Sequence, residues 1–161
     1  VRVPKDFEGV WKDSLYVSEE GWFGFNAASL RNAMIRACST VGFKMTLAKL
    51  SVFVEADGFD KLDGTPLVRI LKGEPERFST YVRLQTGVAD IRMRPMWRAG
   101  WEALLRVRFD ADQFTTEDVV NLLSRAGQQV GIGEGRPNSK SSAGMGWGLF
   151  KTVGGGEVNG E

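Results

Sequence analysis

Apolar residues recur at helical spacing in two stretches of this chain and alternate with polar ones in several others. From a capping Asn26, the run AASLRNAMIRACSTV sets Leu30, Met34, Ala37, Cys38 and Val41 on one stripe, with Asn32, Arg36 and Ser39 elsewhere on the wheel. It predicts a core-facing helix. FTTEDVVNLLSRAGQQV repeats the pattern through Val119, Leu122, Leu123, Ala126 and Val130, and Thr115 with Asp118 forms a near capping box at its start. A first strand is expected over Val10–Val17, and alternation predicts strands over TLAKLSVFVEADG (Ala48, Leu50, Val52 and Val54 on one side) and over the long run from Trp101 to Phe109. Shorter strands are expected in TPLVRIL, STYVRLQ and VADIRMR, separated by turn-forming KGEPE and TG, so that Thr65–Arg94 reads as a hairpin-rich insertion. GWGLFKTV reads as a closing strand.

Set in order, these elements are strand, helix, strand, inserted hairpins, strand, helix, strand. The expected class is therefore α+β, as a ferredoxin-like split βαβ: an antiparallel sheet with two helices on one face. One domain over 1–153, with an insertion at about 58–98 and a flexible tail over 154–161, accommodates the 161 residues.

Composition narrows the chemistry. Cys38 is the only cysteine and there is no histidine, which rules out an intramolecular disulfide, a His-based catalytic triad and a His/Cys zinc site. Cys38 itself falls within an apolar stripe, where packing is the expected use. Asp57, Asp60 and Asp63 lack the other ligands of a calcium loop and read as an acidic turn. No cofactor is implied and no catalytic residue stands out. A formal net charge of +1 excludes a uniformly basic nucleic-acid binder, so any attraction for phosphate has to come from local patches. With no apolar run long enough to span a bilayer, and no apolar signal-peptide core in VRVPKDFEGVWKDS, the expectation is a cytoplasmic protein, in a bacterial host cell, with no membrane partner.

Two patches stand out. One is the glycine-rich stretch after the second helix, with Gly131, Gly133, Gly135, Gly144, Gly146 and Gly148 around Arg136 and Lys140. It lacks the strand-before, helix-after order of a dinucleotide fingerprint and the Gly-Lys-Ser/Thr of a P-loop. Two readings stay open: a backbone cradle for a phosphate chain, or a connection that turns the helix back to the sheet. The other patch is arginine-dense. Arg92 and Arg94 share one strand face and Arg106 and Arg108 another; Arg83 and Arg98 lie near, and Tyr81, Trp97 and Trp101 offer stacking surfaces. A solvated sheet face, neutralised by Asp90, Glu102 and Glu74, explains the same residues. Trp22, Phe23 and Phe25 in EEGWFGFN suit stacking on bases or packing under the first helix.

GIGEGRPNSKSSAGMGWGLF, between a helix and the last strand, resembles the C-terminal glycine-rich loop of the RAMP superfamily of CRISPR RNA-binding proteins, which are built on ferredoxin-like domains. NAASLRNAMIRA resembles the serine-leucine helix start of backbone subunits in that group. AGQQVGIGEGRP and GMGWGLF also resemble a family of small, uncharacterised phage proteins. The resemblance implies contact with RNA or another single strand through Gly131–Gly148, and the missing histidine sets this chain apart from the group's processing nucleases. The leading expectation is thus a single-stranded nucleic-acid binding module, RNA favoured, of phage or CRISPR-related type. The alternative is a phage assembly component or an inhibitor of a host complex, with self-assembly or a larger protein complex in place of a nucleic-acid ligand. A metal-independent endoribonuclease stands third.

Overall fold

The structure, a computed structural model, describes residues 3–139 and 144–153. It is α+β, with antiparallel pairing throughout its sheets. The chain forms two compact units: one comprises the chain up to Asn26 together with Ala56–Leu104, the other Ala27–Glu55 with Leu105 onward. The inserted hairpins thus share a unit with the N-terminal residues. The tail expected over 154–161 lies outside the described residues.

In the first unit, α1 (Phe7–Asp13) takes up Val10–Asp13, the first half of the strand expected over Val10–Val17. The correction has a local cause: the Asp6 carboxylate accepts the Gly9 N–H at 3.1 Å and caps a helical turn. Strand β4 (Pro66–Lys72) is central to the unit's larger sheet. It pairs with β1 (Gly24–Asn26), with β3 (Gly58–Phe59) and with β7 (Glu102–Ala103), and its Leu67 and Val68 are buried. Phe23 and Phe25 meet Trp97 and Trp101 edge to face, with ring centroids 6.4 and 6.1 Å apart. Packing is therefore what these aromatics do.

The acidic turn is built around a buried carboxylate. Asp60 accepts the N–H of Leu62 at 2.7 Å, and Asp63 accepts both the N–H and the hydroxyl of Thr65. The hydroxyl bond from Thr65 is the main reason the Asp63 carboxyl lies below its ordinary range. Among the described residues no group of three metal-ligating side chains occurs.

The remaining piece of this unit is a regular hairpin of β5 (Glu76–Arg83) and β6 (Ala89–Met96), paired over eight positions without a register shift. Both strands were legible from alternation and from the turn between them.

The second unit is organised by α2 (Ala27–Val41) and α4 (Thr116–Arg125), whose apolar faces meet in a single cluster. Met34, Ala37 and Cys38 contribute from one helix, Val119 and Leu122 from the other, and Phe114 packs edge to face on Phe43. The capping box is present at α4: the Thr115 hydroxyl accepts the Asp118 N–H at 3.1 Å, and the Asp118 carboxylate accepts the Thr115 N–H at 2.9 Å. Thr115→Ala is expected to lower the free energy of unfolding by about 1 kcal/mol in urea titration, with Thr115→Ser near wild type because it retains the hydroxyl.

Two long strands expected here are shorter than the alternation suggests. Met45–Ser51 is a helix, α3, and only Val52–Val54 forms strand β2. The helix buries Ala48 and Ser51 and leaves Leu50 78% exposed, whereas a strand would have put Ala48 and Leu50 on one side. Arg31 of α2 holds this segment by donating to the carbonyls of Lys49 and Val52. The run from Trp101 to Phe109 keeps its alternation of half-buried and exposed residues but splits into β7 and β8 (Val107–Phe109), on either side of the point where the chain passes from one unit to the other. β8 pairs antiparallel with β2 through Val52↔Phe109 and Val54↔Val107.

No final strand forms over 147–153. α4 instead continues into a π-helical turn, Ala126–Val130, and the glycine-rich segment folds back on that turn. No helix among the described residues is long and apolar enough to cross a membrane.

Candidate nucleic-acid interface

The glycine segment is a self-packed turn. Three backbone bonds of 3.0 Å tie its two limbs together: Phe150 N–H to Gly127 carbonyl, Ile132 N–H to Gly148 carbonyl, and Trp147 N–H to Gly135 carbonyl. Side chains would obstruct this closure. A Cβ at Gly148 would overlap the Ile132 carbonyl oxygen, one at Gly135 the Trp147 ring, one at Gly127 the Phe150 carbonyl, and one at Gly144 would crowd the Pro137 carbonyl. Gly131 sits against the Gly148 carbonyl, while Gly133 and Gly146 have open space beside them. Most of these glycines therefore serve close approach of chain to chain. Arg136 is half-buried and donates to the Gly133 carbonyl at 3.0 Å, inside the same turn. Lys140 lies outside the described residues.

The two arginine pairs belong to different units. Arg92 and Arg94 do share one face of β6, opposite Thr80 and Phe78, but both are half-buried. Arg94 donates to the Ser14 hydroxyl at 3.3 Å and to the Met93 carbonyl at 3.0 Å, which engages it within its own unit. Arg106 and Arg108 are exposed in the second unit. The Arg108 guanidinium lies 5.1 Å from the Phe53 ring centre and pairs with Glu55 at 3.4 Å, while Arg31 stands at the same distance from Phe53. The ring is thus held by two cations, and its partner across the ladder is Arg108 itself. The glycine turn shares the second unit with Arg106 and Arg108 but not with Arg92 and Arg94.

An open basic and aromatic face lies elsewhere, on β5. Arg77, Ser79, Tyr81 and Arg83 project from one side of the strand and all four are exposed, Tyr81 at 83%. Arg77 has an exposed ion pair with Glu8 at 2.9 Å, an arrangement that costs little to exchange for another anion. Among the described residues Arg83 donates to the Gly87 carbonyl, at 3.4 Å. The spacing Arg-x-x-x-Tyr-x-Arg carried this signal in the sequence, since positions i, i+4 and i+6 of a strand share a face. Arginines instead stand closest together in sequence on β6 and around β8.

A hollow of about 210 Å³ beside Trp22, Asp57 and Arg69 falls below the size of an ordinary small-molecule site. Its polar groups are occupied with one another: the Trp22 indole N–H donates to Glu20 at 3.3 Å, Arg69 lies over the Trp22 ring, and Asp57 accepts the Arg69 backbone N–H at 2.9 Å. No protein-family model, curated protein or solved structure matches the chain.

Proposed function

We propose that this protein is a single-stranded nucleic-acid binding module, RNA favoured, whose contact surface is the outward face of β5. The observation that carries the reading is Tyr81, almost fully exposed between Arg77 and Arg83 on one face of a regular hairpin. A tyrosine left in water gains nothing for folding, whereas stacking on a base is worth about 1–3 kcal/mol. Flanking guanidinium groups supply the phosphate attraction that a net charge of +1 does not. The glycine turn has a supporting part in this reading, as a closure of the second unit.

The ferredoxin-like reading also belongs to this proposal. α2, β2, β8 and α4 follow the order of the inner four elements of a split βαβ, with Ala56–Leu104 inserted between its two strands. The RAMP-like and phage resemblances point to the same ligand class. Exposed apolar side chains such as Leu71 and Leu104 favour the second reading, an assembly or host-complex-inhibiting protein with no nucleic-acid ligand.

Fluorescence anisotropy with a labelled oligouridylate across a salt series separates the two. Affinity is expected to fall as salt rises, and Arg77→Ala or Arg83→Ala each to reduce the log–log slope by about 0.7. Tyr81→Ala is expected to weaken binding about 5- to 150-fold at unchanged slope. Affinity that is absent or indifferent to salt sinks the proposal. A loss in Arg136→Ala with none in Tyr81→Ala would move the contact to the glycine turn.

A further inference from the structure

The two edges of the β5–β6 hairpin are treated differently. Leu84 N–H donates to the Val88 carbonyl at 2.9 Å, so Leu84 and Val88 face one another across the ladder. Inward and outward backbone groups alternate in an antiparallel pair. Phe78, Thr80 and Val82 therefore bond β6, and Arg77, Ser79, Tyr81 and Arg83 direct their N–H and carbonyl groups away from it. On the opposite edge the corresponding residues of β6 are Ala89, Ile91, Met93 and Pro95. That edge is closed: Pro95 has no N–H, and Lys5 donates to the Ile91 carbonyl at 2.6 Å while pairing with Asp90 at 3.0 Å. Lys5 is also the main reason the Asp90 carboxyl lies below its ordinary range.

The β5 edge has none of these protections. It holds no proline and no bulge, and among the described residues no backbone group bonds Arg77, Ser79, Tyr81 or Arg83 from outside the hairpin; the Trp11 indole N–H, at 3.5 Å, reaches β5 at Glu76, an inward-bonding position. Such an edge is a template for another strand. Its own sequence suits it to a second copy. With a twofold axis at Tyr81, the two tyrosines face each other, Ser79 faces the partner's Arg83, Thr80 faces the partner's Val82 and Phe78 faces the partner's Leu84. No like charges meet, and apolar or hydrogen-bonding pairs fill both faces. With the axis at Thr80, Arg77 meets the partner's Arg83, which is repulsive. With the axis at Ser79, Arg83 meets the partner's Pro75, which has no N–H to give.

We infer that two copies of this chain pair antiparallel along β5, with the axis at Tyr81, to make a continuous four-stranded sheet. The pairing uses the strand's edge and leaves its outward face open, so each dimer presents two Arg77–Tyr81–Arg83 surfaces. It stands independently of the nucleic-acid reading, because it is measured with no nucleic acid present.

The test is light scattering on the whole chain across a concentration series. The weight-average mass is expected to rise from 17.8 kDa toward twice that value. Tyr81→Lys puts two ammonium groups opposite each other at the axis and removes an aromatic pair, and is expected to raise the dimer dissociation constant about tenfold or more. Ser79→Pro removes an outward N–H without touching the hairpin's own ladder and is expected to do the same, with circular dichroism reporting that each variant remains folded. A monomer at every concentration overturns the inference, and so does a dimer whose dissociation constant Tyr81→Lys leaves unchanged.

Discussion

Gly148→Ala is expected to lower the free energy of unfolding by about 3 kcal/mol, the sum of two separate costs. Gly148 has φ of +75°, a conformation in which an alanine is strained by about 1–2 kcal/mol. Its Cβ would also overlap the Ile132 carbonyl oxygen, on a residue whose own N–H is bonded back to the Gly148 carbonyl. Relief requires the two limbs of the turn to separate, at the expense of the bonds that join them. Gly133→Ala is the control. Its φ of +80° carries the same backbone strain, but nothing lies within 4 Å of the added carbon. Its expected cost is therefore only about 1–2 kcal/mol. Urea unfolding of both variants checks the difference: equal losses would mean that the turn is open enough to absorb a side chain, and a phosphate cradle would then regain its case.

That contrast also explains why the segment was hard to interpret as sequence. Glycines that receive a ligand and glycines that receive another part of the same chain satisfy the same local requirement, no Cβ, and spacing does not separate them. What decides is the partner atom, here Ile132, Phe150, Pro137 or the Trp147 ring, each distant in sequence from the glycine it meets.

Where the determinants were local, the fold was legible. The stripe of α2, the capping box of α4 and the alternation of β5 and β6 each place their cause within a few residues of their effect. Met45–Ser51 failed for the opposite reason. Its pattern suits both periods, because Ala48, Leu50 and Val52 alternate while Ala48 and Val52 also stand one helical turn apart. Tertiary contacts settle the choice: Arg31 bonds the carbonyl of Lys49, and Ala48 fills the cluster beneath α2. Phe7–Asp13 contains no buried residue at all, so its apolar positions carried no information about the core and its Asp6 cap was the only guide. For the candidate site the same limit holds. Side-chain type marks arginines as possible phosphate ligands, but only the register shows that Arg94 is engaged by Ser14 while Arg77 and Arg83 share an open face with Tyr81.

Leu122→Ala carries the other large effect, a loss of about 2–5 kcal/mol. Leu122 is fully buried, on the face of α4 turned toward α2, in the same cluster as Met34, Ala37 and Cys38. Truncation removes the transfer free energy of the lost carbons and leaves a void that two packed helices cannot fully close. Cys38 makes the loss directly readable. It is the chain's single cysteine, fully buried, and its thiol is pushed up by that burial, with a further hydrogen bond to the Met34 carbonyl at 3.6 Å. A thiol reagent therefore reaches it through opening of the second unit. When reclosing is faster than labelling, the labelling rate follows the population of the open state. Each 1.4 kcal/mol of lost stability then multiplies that rate about tenfold, so Leu122→Ala is expected to label about 30- to several-thousand-fold faster than wild type. Thr115→Ala should accelerate labelling only about fivefold, in line with its smaller cost. A Leu122→Ala rate equal to wild type would mean that Cys38 is reached by a local fluctuation that leaves the helix pair intact, and that the α2–α4 contact is not what protects it.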